Sequence, residues 1–175
     1  IPSAPPPARE SKIPQDAEKI LPEEDAHPPV LHGDDYKQPK PLPGPINTAG
    51  GEDSPFISRD GKRLIFFFTP DVSLPHQEQL LDGVTGLYLS RAENGRWSEP
   101  QRVALNNDVA LDGCPFLSDD TLWFCSARAG VTGVHWFTAQ YSDGSWTDWE
   151  EVNFDPSHKV GELHITADGE ELFFH

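Results

Sequence analysis

Glu52-Asp-Ser-Pro-Phe-Ile-Ser58 leads through a Gly-containing turn into the apolar run Leu64-Ile-Phe-Phe-Phe68, and this pairing returns along the chain. Asp112-Gly-Cys-Pro-Phe-Leu-Ser118 repeats the first part, and the run at 122–126 repeats the second. A weaker copy, Gly161-Glu-Leu-His-Ile-Thr166, precedes a run at 172–174. Short apolar runs joined by tight turns read as hairpins. A third run follows each copy of Gly-Val-Thr-Gly, which stands at Gly83–Gly86 and again at Gly130–Gly133. Asn94-Gly-Arg-Trp97 then matches Asp143-Gly-Ser-Trp146, and a fourth run follows each. Asn-Gly and Asp-Gly suit hairpin turns because both positions tolerate positive φ. Gly83 lies 47 residues before Gly130, and Asn94 lies 49 before Asp143. Four antiparallel strands at that period are the signature of a propeller blade. The first unit is longer, mainly through residues 69–82, expected as an insertion between its second and third strands, outside the repeat core.

Pro55-Phe-Ile-Ser-Arg-Asp-Gly-Lys-Arg-Leu-Ile-Phe-Phe67 resembles the repeat of TolB-like, WD-repeat-like β-propellers, Pro-x-x-Ser-x-Asp-Gly-x-x-Leu-x-Phe. Thr166-Ala-Asp-Gly-Glu-Glu-Leu-Phe-Phe174 matches the later half, and Gly95-Arg-Trp-Ser-Glu-Pro100 fits that family's Gly-x-Trp-x-x-Pro. Gly144-Ser-Trp-Thr-Asp-Trp149 departs by placing Trp where Pro is usual, and Ser118-Asp-Asp-Thr-Leu122 lacks the turn Gly. The resemblance covers about residues 36–175. It implies an all-β fold: a β-propeller of four-stranded antiparallel blades, here partial, with two complete blades and part of a third. Such rings close with about six blades, so a longer chain or another chain would complete this one. Residues 36–48 resemble a fourth strand and the link after it.

Residues 1–35 differ in character. Twelve of the 18 prolines precede residue 46, and large apolar residues are few. Such a segment buries too little surface to offset its ordering entropy, so it reads as an acidic, Pro-rich extended arm or linker. The one helical signal in it is a short stretch around residues 15–21. Residues 36–175 form the propeller domain in this reading. The net charge of −16 argues against nucleic acid, which needs clustered Lys and Arg, and against anionic lipid. No apolar run reaches the length of a transmembrane helix. The chain contains no Met and no visible signal peptide, as expected of a processed protein that is secreted, periplasmic or on the cell surface.

Counting outward from an Asp119-Asp120 turn puts Cys114 opposite Cys125. Opposed positions bring side chains close, so a cross-strand disulfide is expected in an oxidising compartment; the alternative is two free thiols packed as small apolar groups. Glu52, Asp53, Asp112 and Glu162 each precede the first strand of a unit, which in a propeller borders the mouth of the channel. Convergent carboxylates there would bind a cation or a basic side chain; the alternative is turn chemistry. No cofactor is expected beyond calcium at that site. His158 and His164 flank Glu162 without a recognised metal spacing. Trp97 and Trp146 are equivalent and expected in the core, as are Trp136 and Trp149, which could otherwise form an aromatic platform. No nucleophile elbow or phosphate loop is present. The expected function is therefore a non-catalytic extracytoplasmic scaffold that binds a protein or carbohydrate partner. The alternative is a carbohydrate-active enzyme, glycoside hydrolase or polysaccharide lyase, with its site on the channel axis.

Overall fold

The second strand of the first unit, Arg-Leu-Ile-Phe-Phe-Phe-Thr, is apolar on both faces and needs cover on both. The computed structural model describes residues 7–31, 33–105, 110–128, 133–152 and 161–174. Its strands are β1 (Gly51–Ile57), β2 (Arg63–Thr69), β3 (Gly86–Glu93), β4 (Arg96–Trp97), β5 (Gln101–Arg102), β6 (Ala110–Ser118), β7 (Thr121–Arg128), β8 (His135–Ser142), β9 (Ser145–Trp146), β10 (Glu150–Glu151), β11 (Leu163–Ile165) and β12 (Leu172–Phe174). The fold is essentially all-β, with antiparallel sheets curled into half-barrels. In the first sheet β1, β2 and β3 run as a meander, and β4 and β5 both pair with β3. In the second, β6, β7 and β8 repeat that order, and β9 and β10 both pair with β8. β11 and β12 form a third hairpin. The fourth run of each unit is thus two short pieces. Residues 98–100, which end in Pro100, separate the pieces in the first sheet, and residues 147–149 separate them in the second.

The turns explain the hairpins. Asn94 (φ 52) and Gly95 (φ 75) link β3 to β4, and Asp143 (φ 52) and Gly144 (φ 83) link β8 to β9, the paired positive φ values that such turns demand. The β1–β2 and β11–β12 turns share one bonding pattern. Ser58 Oγ donates to Asp60 at 2.6 Å, as Thr166 Oγ1 does to Asp168 at 2.6 Å. These hydrogen bonds hold both exposed carboxyls below the usual Asp range.

Strand alternation gives each sheet two faces. Leu64, Phe66, Phe68 and Tyr88 share one face of the first sheet and pack with Ile46. Ile65 and Leu87 share the other and pack with Leu122, Phe124, Phe137 and Ala139 of the second sheet. The far face of the second sheet carries Cys125 and Trp136, which pack with Phe116 and Leu163. The layers therefore run from the N-terminal segment to the first sheet, the second sheet and the β11–β12 hairpin.

Two expectations change. No helix forms at residues 15–21; among the described residues of the arm the one helical turn is a 3₁₀ segment at Arg9–Lys12. Residues 36–48 form no strand, because alternate prolines (Pro39, Pro41, Pro43, Pro45) remove ladder donors; Gly44–Pro45 is cis. The insertion after β2 carries a helix, α1 (His76–Leu81), and is closed by Asp82, whose carboxylate accepts from Val84 N, Thr85 N and Thr85 Oγ1. Residues 130–132, His32 and His158 lie outside the described residues.

Tyr88 is buried and donates to Val84 O at 2.7 Å. Burial pushes its phenol up to about 12. An unfolded tyrosine ionises near pH 10, so Tyr88's contribution to stability is complete below about pH 10 and is lost as pH rises towards 12. Absorbance titration should find one of the three tyrosines ionising late, and Tyr88→Phe should remove that late step.

Candidate functional site

β1 and β6 each carry a bulge at the same place. Asp53 pairs with Phe67 and Phe56 with Ile65, so Ser54 and Pro55 together oppose Phe66. Gly113 pairs with Cys125 and Phe116 with Trp123, so Cys114 and Pro115 together oppose Phe124. Each bulge contains a non-glycine residue at positive φ, 47° at Ser54 and 50° at Cys114. A bulge bends its strand and re-aims one side chain. It also corrects the counted register: Gly113, not Cys114, is the partner of Cys125.

The bulges border a cleft of about 350 Å³ lined by residues 53–56, 114–116 and 162–164, one segment from each repeat. A second cleft, of about 410 Å³, continues along the same strands past residues 57–60, 117–119 and 165–167. Phe56, Phe116 and His164 border both. The Phe116 ring stands 4.6 Å from Phe56 and 5.2 Å from His164 by centroid, so these three rings form the neck. At the far end Arg63 bridges the sheets, with Nη1 2.9 Å from Asp120 Oδ1 and Nη2 2.8 Å from Asp119 O.

The four acids separate into two pairs. Asp53 and Glu162 meet at the cleft through Ser54: Ser54 N donates to Asp53 Oδ1 at 2.7 Å, and Ser54 Oγ donates to Glu162 Oε1 at 2.9 Å. Glu52 and Asp112 lie away from the cleft in separate layers, Glu52 on the outer side of the first sheet and Asp112 between the two sheets. Glu52 accepts from Thr48 Oγ1 at 2.6 Å and lies 3.6 Å from Arg9 Nη1. Asp112 Oδ1 accepts from Arg128 Nη2 and from Ser126 Oγ, both at 2.6 Å. Consecutive strand residues point to opposite faces, so Glu52 cannot join Asp53 at the cleft. Among the described residues no group of three or more His, Cys, Asp or Glu side chains is arranged to hold a metal ion.

Cys114 and Cys125 are free thiols, Cys114 half-buried and Cys125 buried. A hydrogen bond from Cys125 lowers the Cys114 thiol, against burial and the nearby Glu162 and Asp53 carboxylates. The same contact raises Cys125, and burial adds to it. Cys125 Sγ also lies 2.7 Å from Gly161 O, which accepts from Trp136 Nε1 at 2.9 Å. Cys114, half-buried at the cleft wall, is the thiol open to a reagent, whereas Cys125 is buried. Sequence reasoning missed Ser54 and the arginines Arg9, Arg63 and Arg128. The clearest signal for Ser54 was its alignment with Cys114 and Glu162.

Two predictions follow from this geometry. Native protein should take one equivalent of a thiol-alkylating reagent, at Cys114, and Cys125 should react only after unfolding; mass-mapped labelling reads both. Asp112→Ala removes a carboxylate that pairs with the Arg128 guanidinium, whose side chain is 1% exposed, and should cost about 3 kcal/mol in denaturant unfolding. Comparison with known protein families, with curated proteins and with solved structures finds no match.

Proposed function

We propose that the chain is part of a TolB-like, WD-repeat-like β-propeller that acts outside the cytoplasm as a non-catalytic binding scaffold, with the cleft along β1, β6 and β11 as its contact surface. The observation that carries the reading is that equivalent residues of three successive repeats border one cleft. Radial repetition about a channel places equivalent residues that way. The stacking supports it too, since the same face of successive sheets turns towards the preceding layer. The cleft-side carboxylates of Asp53 and Glu162 and the net charge of −16 favour a cationic ligand, calcium or a basic segment of a protein partner.

Titration with calcium or with a basic peptide should raise the melting temperature of the full chain by roughly 2–4 °C. The double variant Asp53→Asn, Glu162→Gln should lose that rise while keeping the unliganded melting temperature, because both side chains are at the surface of the cleft. Absence of any cation-dependent shift in the parent chain would remove the cleft as a cation site. Turnover in a screen of polysaccharides would replace the scaffold reading with the carbohydrate-active one. The native mass of the assembly tests whether another chain completes the ring.

A further inference from the structure

The open face of the first sheet holds an arginine from a distant part of the chain. Arg9 comes from the 3₁₀ turn of the arm, yet its side chain is 2% exposed. Nη1 donates to Ile46 O at 2.9 Å, Nη2 donates to Pro45 O, and Glu52 supplies the counter-charge. The guanidinium carbon lies 5.0 Å from the Phe68 ring centroid, 5.7 Å from Phe66 and 6.0 Å from Tyr88. The carbonyls, the Glu52 carboxylate and the rings of this cradle come from residues beyond the arm, and the arm adds Glu10, whose Oε1 lies 3.7 Å from Arg9 Nη2.

A second cradle of the same design lies one sheet further on. Arg128 pairs with Asp112 and lies 4.9 Å from Phe137, 5.6 Å from Phe124 and 4.5 Å from Trp149. The two are related by the repeat. Glu52 and Asp112 stand at matching places in β1 and β6, and Phe66 matches Phe124. The arginines do not match. Thr69 and Ala127 are equivalent by register, and the next residue is Arg128 in the second sheet but Pro70 in the first. Where the second sheet carries its own guanidinium at the end of β7, the first takes one from elsewhere.

We infer that the outer face of the first sheet is a guanidinium-binding site, filled in cis by Arg9, that accepts the arginine side chain of an extended peptide when the arm is displaced. The chemistry is selective for arginine. Two carbonyls and a carboxylate around one plane fit the guanidinium fork, and the rings fit its flat face; an ammonium group offers neither. The inference stands whether or not the sheets belong to a propeller.

The test uses the full chain with Arg9→Ala, which empties the cradle. Its melting temperature should fall by roughly 5–10 °C, because Glu52 loses its counter-charge in a half-buried place. N-ethylguanidinium at about 10 mM should restore roughly 3–5 °C of that loss, ethylammonium at the same concentration should restore none, and the parent chain should respond to neither. An arginine amide should act like ethylguanidinium, and a lysine amide should not. An unchanged melting temperature in Arg9→Ala, or equal rescue by both cations, overturns the site. Should Arg9→Ala fail to fold, Arg9→Lys keeps the stem and the charge but not the fork. A parent-like melting temperature for Arg9→Lys overturns the inference, and a clear fall with faster hydrogen exchange at residues 7–20 supports it.

Discussion

A strand that is apolar on both faces forces everything around it into layers. β2 and β7 are such strands: Leu64, Phe66 and Phe68 look one way and Ile65 the other, while Leu122 and Phe124 oppose Cys125. Each large side chain taken from water contributes about 1.5–3 kcal/mol, so an uncovered face would forfeit several such terms. The first sheet covers the second, and the β11–β12 hairpin covers the second sheet's far side. The first sheet's outer face is covered by Ile46, Ile13 and Arg9. An arm whose composition resembles a disordered linker is held because this face needs it.

That requirement also explains where the charges went. The acids Glu52 of β1 and Asp112 of β6 face into a layer rather than into water. Each is tolerable only with a partner, since an unpaired buried charge is costly. Asp112 finds Arg128 in its own hairpin, and Glu52 finds Arg9 from 43 residues upstream. The guanidinium suits the position because its flat face can lie on the aromatic rings that fill the same layer.

Much of this was legible in the residues. The strands, their order and the tight turns follow from apolar runs and from Asn-Gly and Asp-Gly, whose physics is local. The insertion after β2 was legible as a break in the period, though α1 inside it was not, since six residues carry little periodic signal. Register was less accessible. Counting from the Asp119-Asp120 turn succeeds as far as Phe116 and Trp123 and then slips by one at Cys114, because a bulge leaves no mark beyond a proline and a residue willing to adopt positive φ. The acids share a place before the first strand of each unit, which suggests one group, whereas strand alternation divides Glu52 from Asp53. Arg9 was invisible for a plainer reason: no local rule links residue 9 to a face built from residues 45–88.

The bulge positions deserve a different reading from the cradles. At the cradles, two repeats arrive at one chemistry by different routes, as a fixed packing demand requires. At the bulges, two repeats place Ser54 and Cys114 in one geometry, the third brings Glu162 to the same cleft without a bulge, and the chemistries diverge: a hydroxyl, a thiol and a carboxylate. A bulge that served only to bend the strand would be filled as well by any residue that tolerates positive φ. Here the re-aimed groups instead meet at one cleft, with Ser54 bonded to Glu162 and Cys114 beside both carboxylates. Between β1 and β6 the bulged backbone is the same while the side chains differ, so the repeat lines one cleft with unlike groups.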